Sequence, residues 1–107
     1  MTKTKALGAA ALLATLAGAA PAQTTAAVDA NLARNLAATC ANCHGTNGNA
    51  RGDMLVLAGA PAESTIAKMA AFKSGALPAT IMHQIAKGYT DEQIRLIAGY
   101  FAAQPRK

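Results

Sequence analysis

"CANCHG", Cys40 to Gly45, holds both cysteines of the chain, sets them three residues apart and follows the second at once with a histidine. Such a pair can be a disulfide oxidoreductase site, half of a zinc site, or the attachment point of a c-type haem. A thioredoxin-like dithiol comes with strand-helix-strand units, and no stretch of this sequence alternates apolar and polar residues as a half-buried strand does. Zinc needs four ligands, and beyond Cys40 and Cys43 the chain offers only His44 and His83 as further cysteine or histidine ligands, at the wrong spacing for a finger. A covalent haem accounts for every residue of the motif. Cysteines three apart on one helical turn face roughly the same way, so both sulfurs can bond one side of a porphyrin. His44 then stands next to the ring as the proximal iron ligand.

The amino terminus agrees with that reading. Met1 to Lys5 supplies a positive end, Ala6 to Ala20 an Ala/Leu-rich apolar run, and Ala20-Pro21-Ala22 a small-residue cleavage pattern. This is the pattern of a secretory signal peptide over residues 1–22, removed in a bacterial periplasm where haems of this type are attached. An uncleaved anchor is the competing reading, but the run is shorter than the roughly 20 residues a helix needs to cross a bilayer. No membrane span is therefore expected after cleavage.

The chain beyond Ala22 is short. Residues 23–27 read as a flexible tail, 28–104 as one small domain and 105–107 as a C-terminal tail. So small a domain buries only a marginal core from its own side chains. A disulfide between Cys40 and Cys43 would close too tight a loop to help much, whereas a large apolar cofactor would help substantially. The formal net charge of +5 falls to +3 once Lys3 and Lys5 leave with the signal. The remaining cations are scattered, with Arg106-Lys107 the one adjacent pair, so no nucleic-acid-binding stripe is present.

Helical periodicity runs through the domain. Val28, Leu32 and Leu36 recur every fourth residue, with Ala33 and Ala37 beside them, which predicts a helix over 28–39 leading into Cys40. Gly45 to Gly52 (GTNGNARG) is loop. A second helix begins at Pro61 with Glu63 in its first turn, puts Ile66, Met69, Ala70 and Lys73 on one face and stops at Gly75. Thr80 to Lys87 predicts a short helix closed by Gly88. Thr90 with Gln93 three residues on is a capping box, and the helix it opens carries Ile94, Ile97, Ala98 and Phe101 as its buried stripe. The fold expected is all-α, with four or five short helices joined by substantial loops.

A distal ligand must come from Met54, Met69, Met82 or His83. Met69 belongs to a packing stripe, and Met54 comes after His44 in a loop engaged on the proximal side. Met82 lies beyond a proline break, with enough chain behind it to return from the opposite face. His83, its neighbour, points about 100° away on a helix and cannot share the iron with it; it reads as a surface or haem-rim residue.

The chain resembles the class I c-type cytochromes, close to the cytochrome c4 and c-553 group and to the cytochrome subunit of flavocytochrome c sulfide dehydrogenase. The residues that carry the resemblance are "CANCHG", "LAG" at Leu57 to Gly59, "AFKSG" at Ala71 to Gly75 and "PATIMHQIAKGYTDEQI" from Pro78 to Ile94. It implies the small class I cytochrome fold around one haem c, covalent through Cys40 and Cys43, with His44 and Met82 as axial ligands. Relatives usually carry Pro at the position of Leu55, where a backbone carbonyl holds the proximal histidine, and often Tyr at Ser64 and Arg at Leu77. The function implied is one-electron transfer in the periplasm by a chain that is not itself a catalyst. The resemblance points to the electron-accepting cytochrome subunit of a flavoprotein sulfide dehydrogenase. A free soluble carrier is the alternative, and a haem enzyme or gas sensor with an open distal site the third reading.

Overall fold

The computed structural model describes Gly18 and residues 25–107, with side chains from Asn31 onward. The signal-peptide reading of residues 1–22 thus lies, Gly18 apart, outside the described residues. Among the described residues there are five α-helices and no strand: α1 Thr25–Ala38, α2 Ala41–His44, α3 Ala62–Ser74, α4 Met82–Lys87 and α5 Asp91–Ala102. A 3-10 turn, Thr46–Gly48, comes after α2. The all-α expectation holds. No helix among the described residues is long and apolar enough to cross a membrane.

α5 organises the rest. Its capping box forms in both directions: Gln93 N–H donates to Thr90 Oγ1 at 3.2 Å, and Thr90 N–H donates to Gln93 Oε1 at 2.9 Å. Asp91 and Glu92 sit in the first turn, where the helix dipole favours negative charge. Ile94, Ile97, Ala98 and Phe101 are all buried, as their spacing predicts. The two ends of this stripe serve different neighbours. Ile97 and Phe101 pack with Ala37 of α1, and Leu36, Cys40 and Leu57 close around them. Ile94 packs with Met69 of α3 and Ala86 of α4, and Ile66, Phe72 and Met82 lean on that group. Tyr89, just before α5, touches both clusters and shares a 2.6 Å hydroxyl contact with Thr39 at the end of α1.

Helix limits depart from the sequence reading in places. α1 starts at Thr25, inside the segment read as a flexible tail, because the Ala-rich run TAAVDA has high helix propensity. Its buried face is Ala37 with Leu36 and Ala33 half-buried, while Leu32 is 43% exposed. A small residue is what allows α1 to approach Ile97 and Phe101 closely. α3 runs from an extended Pro61 to Gly75, which takes the left-handed conformation at φ 82°. Of its predicted face Met69 is buried and Ile66 half-buried, but Ala70 is exposed, and Lys73 turns to Asp91 at 3.0 Å. α4 begins at Met82 rather than Thr80. Ile81 has a non-helical φ of −136°, and its carbonyl accepts from Gln84 and Ile85.

Candidate functional site

Cys40, Cys43 and His44 share one helical turn. Cys40 is in helical conformation as the N-cap of α2, and its carbonyl accepts from Cys43 N–H at 3.3 Å and His44 N–H at 2.9 Å. Gly45, at φ 78°, ends the turn, and a Cβ there would run into the Asn49 carbonyl. The two thiols are not bonded to each other; Cys40 is half-buried against the α1–α5 cluster and Cys43 is exposed. Burial pushes the Cys40 thiol above its ordinary pKa, with a hydrogen bond from Thr39 partly opposing the rise.

The histidine is oriented by the loop beyond it. His44 Nδ1 lies 2.7 Å from the backbone carbonyl of Leu55. A carbonyl only accepts, so Nδ1 carries a proton, and in the neutral ring Nε2 keeps its lone pair. An imidazole that binds a metal through Nε2 needs that tautomer, and a hydrogen bond from the other nitrogen makes it a stronger donor. The contact uses Leu55's backbone, so it survives the absence of proline at this position.

Met82 stands on a separate element at the start of α4, half-buried beside Met69, Ala86 and Ile94. Cys40 and Met82 therefore lean on the two clusters at opposite ends of the α5 stripe. Met69 is 7% exposed and belongs to the core, whereas Met54 is 44% exposed in the loop before Leu55. His83 is half-buried, and its Nδ1 is buried with no hydrogen-bond partner among the described residues. It lines a hollow of about 260 Å³ with Phe72, Leu77, Pro78 and Lys87.

Large apolar side chains are left exposed around these groups. Met54 and Leu55 lie on the loop that reaches His44, while Ile81 and Ile85 flank Met82 in sequence. Among the described residues no three His, Cys, Asp or Glu side chains are gathered closely enough to hold a metal ion. A haem fits what is present: an apolar body for the exposed side chains, two free thiols on one turn, and an imidazole whose Nε2 has no hydrogen-bond partner among the described residues. Sequence reasoning missed the residues that hold the histidine loop, Asn47, Asn49, Tyr100 and Arg106. Their partners lie far away in the chain, and an asparagine in a glycine-rich stretch signals only a turn.

No family model matches the chain. A curated protein described as the cytochrome subunit of sulfide dehydrogenase, from Chlorobaculum tepidum, is 40% identical over 72 residues. The match covers 67% of this chain and 66% of that protein, just under two thirds of the relative's length.

Proposed function

We propose, from the premise that this chain belongs to the c-type cytochromes in the group of that relative, that it is a periplasmic one-electron transfer protein. Its single haem is held covalently by Cys40 and Cys43 and ligated by His44 and Met82. The observation that carries the reading is the 2.7 Å contact between His44 Nδ1 and the Leu55 carbonyl, beside two free thiols on the same turn. The bound group would supply a reversible one-electron change between Fe(III) and Fe(II).

The residues divide the work. Cys40 and Cys43 tether the cofactor, so it stays with the chain in both oxidation states. His44 and Met82 would both hold the iron, and two protein ligands would leave a substrate no ready place on it, which favours transfer over catalysis. Ile81 and Ile85, exposed and close to Met82 in sequence, would supply apolar cover that disfavours the extra positive charge of the oxidised state. The positively charged, apolar start of the sequence supports export, and thioether attachment is chemistry of that compartment.

The relative's description as a subunit of sulfide dehydrogenase supports a partner subunit for this chain as well. We take this chain to be the electron-accepting cytochrome subunit beside a flavoprotein that oxidises sulfide. Co-expression with such a flavoprotein is expected to give a stoichiometric complex in which sulfide reduces the haem. A monomer reduced only by other redox proteins would overturn the complex and leave a free carrier. The reduced spectrum is expected to be low-spin and unmoved by carbon monoxide; ready binding would identify a haem enzyme or gas sensor instead.

A further inference from the structure

The loop that delivers the Leu55 carbonyl to His44 has little structure of its own. Arg51 to Leu55 are exposed and, apart from a turn at Gly52–Asp53, belong to no helix or strand; the strong backbone hydrogen bonds nearest to the Leu55 carbonyl along the chain are those of Leu57 and Ala58. The carbonyl is therefore placed by anchors on either side. Gly48 O accepts from Leu57 N–H at 2.8 Å and Ala58 N–H at 3.0 Å, which closes the loop at its neck.

That neck is held by α5 and by the segment after it. Tyr100 hydroxyl donates to Asn47 Oδ1 at 2.8 Å, and Gly59 N–H donates to Phe101 O at 2.9 Å. Arg106 Nε donates to Ala58 O at 3.3 Å. Asn49 makes the double contact: its Nδ2 donates to Pro105 O at 3.1 Å, and its Oδ1 accepts from Lys107 N–H at 2.8 Å. Residues 105–107, read from sequence as a tail, are thus a strap across the base of the histidine loop.

We infer that Asn49, through its paired hydrogen bonds to the Pro105–Lys107 strap, is a positioning residue that holds the Leu55 carbonyl on His44 and so sets the donor strength of the imidazole. The inference rests on the proposed ligation of iron by His44. A firm Nδ1–H to carbonyl bond raises the basicity of Nε2 and stabilises the ferric state. A loosened strap lets the neck shift, weakens that bond and raises the reduction potential.

The test uses the haem-bound protein, with the exchange rate of the His44 Nδ1 proton followed by NMR and the potential measured alongside. Asn49→Ala is expected to speed that exchange roughly tenfold, the scale of losing one to two net hydrogen bonds, and to raise the potential. Lys107→Pro removes one donor without touching the asparagine and is expected to move both readouts the same way by less. Asp91→Asn removes the charge that faces Lys73 elsewhere and is expected to move neither. If Asn49→Ala does not accumulate, Lys107→Pro decides. Wild-type exchange and potential in the strap variants, or an equal change in Asp91→Asn, would overturn the inference alone. A wild-type holoprotein without an iron-shifted His44 Nδ1 proton would overturn the ligation reading beneath it.

Discussion

Gly48 stands where the histidine loop meets both α5 and the "LAG" segment, and adding one methyl group there measures how tightly they are joined. Gly48 has φ +77°, and a Cβ built on it would lie 2.7 Å from Ala58 N, 2.7 Å from Phe101 Cδ1 and 2.9 Å from Leu57 Cβ. The substitution carries two costs. The left-handed backbone disfavours an L side chain by roughly 1–2 kcal/mol, partly offset by about 0.4–1 kcal/mol because alanine restricts the unfolded chain. The close approach adds roughly 1–3 kcal/mol, since a backbone nitrogen and a ring that is 1% exposed cannot move aside without repacking. Gly52 separates the two: its φ is +66°, but nothing lies within 4 Å of the added atom. Gly52→Ala is therefore expected to destabilise by about 1 kcal/mol and Gly48→Ala by about 2–4 kcal/mol. Urea denaturation of the haem-bound protein, followed by far-UV circular dichroism at unchanged m-value, gives both numbers. Equal losses in the two variants, within about 0.5 kcal/mol, would refute the close packing of the loop neck on Phe101.

Asp91 gives a pH dependence. The hydrogen bond from Lys73, then its charge, holds the Asp91 carboxyl below its ordinary pKa. A carboxyl lowered in the folded state stabilises the protein above the unfolded-state pKa, near about 4, and loses that contribution as pH falls through the lower folded value. The difference in melting temperature between wild type and Asp91→Asn is expected to be small and positive at neutral pH, because the Asp91 carboxyl is solvent-exposed, and to vanish in acid; a difference growing below that window would contradict the assignment. Met82→Ala is expected to convert the ferric spectrum from low-spin to high-spin, whereas Met54→Leu and Met69→Leu keep it low-spin. A low-spin Met82→Ala protein would move the sixth ligand elsewhere, with His83 the first residue to replace in turn.

Features that depend on neighbours in the chain were legible in the sequence. The four buried positions of α5 come from helical spacing, and Thr90 and Gln93 mark its start because a capping box is complete within four residues. Pro61 and Gly75 bracket α3 for the same kind of reason: one cannot continue a helix backwards through its missing N–H, and the other adopts φ 82° without a Cβ clash. Cys40, Cys43 and His44 are legible as a group because a single helical turn brings them together. Contacts between distant segments were hidden. Nothing local to Leu55 says that its carbonyl meets His44; the resemblance supplied that expectation. Tyr100 with Asn47, Asn49 with Pro105 and Lys107, and Thr39 with Tyr89 all join segments that only the packing of α1 on α5 brings together. The exposure of Leu32 was equally unreadable, since spacing makes it equivalent to Leu36 and only the small Ala37 beside Ile97 shows which side faces inward.

Covalent attachment through Cys40 and Cys43 is the property on which the proposed function depends most. The decisive measurement is the intact mass of the protein after acid-acetone extraction and full denaturation, made on wild type and on the Cys40→Ala, Cys43→Ala double variant. The predicted result is a wild-type mass equal to the processed polypeptide plus one haem, and a double variant that carries none. A denatured wild-type chain at the mass of the bare polypeptide, with haem released into the extract, would contradict it.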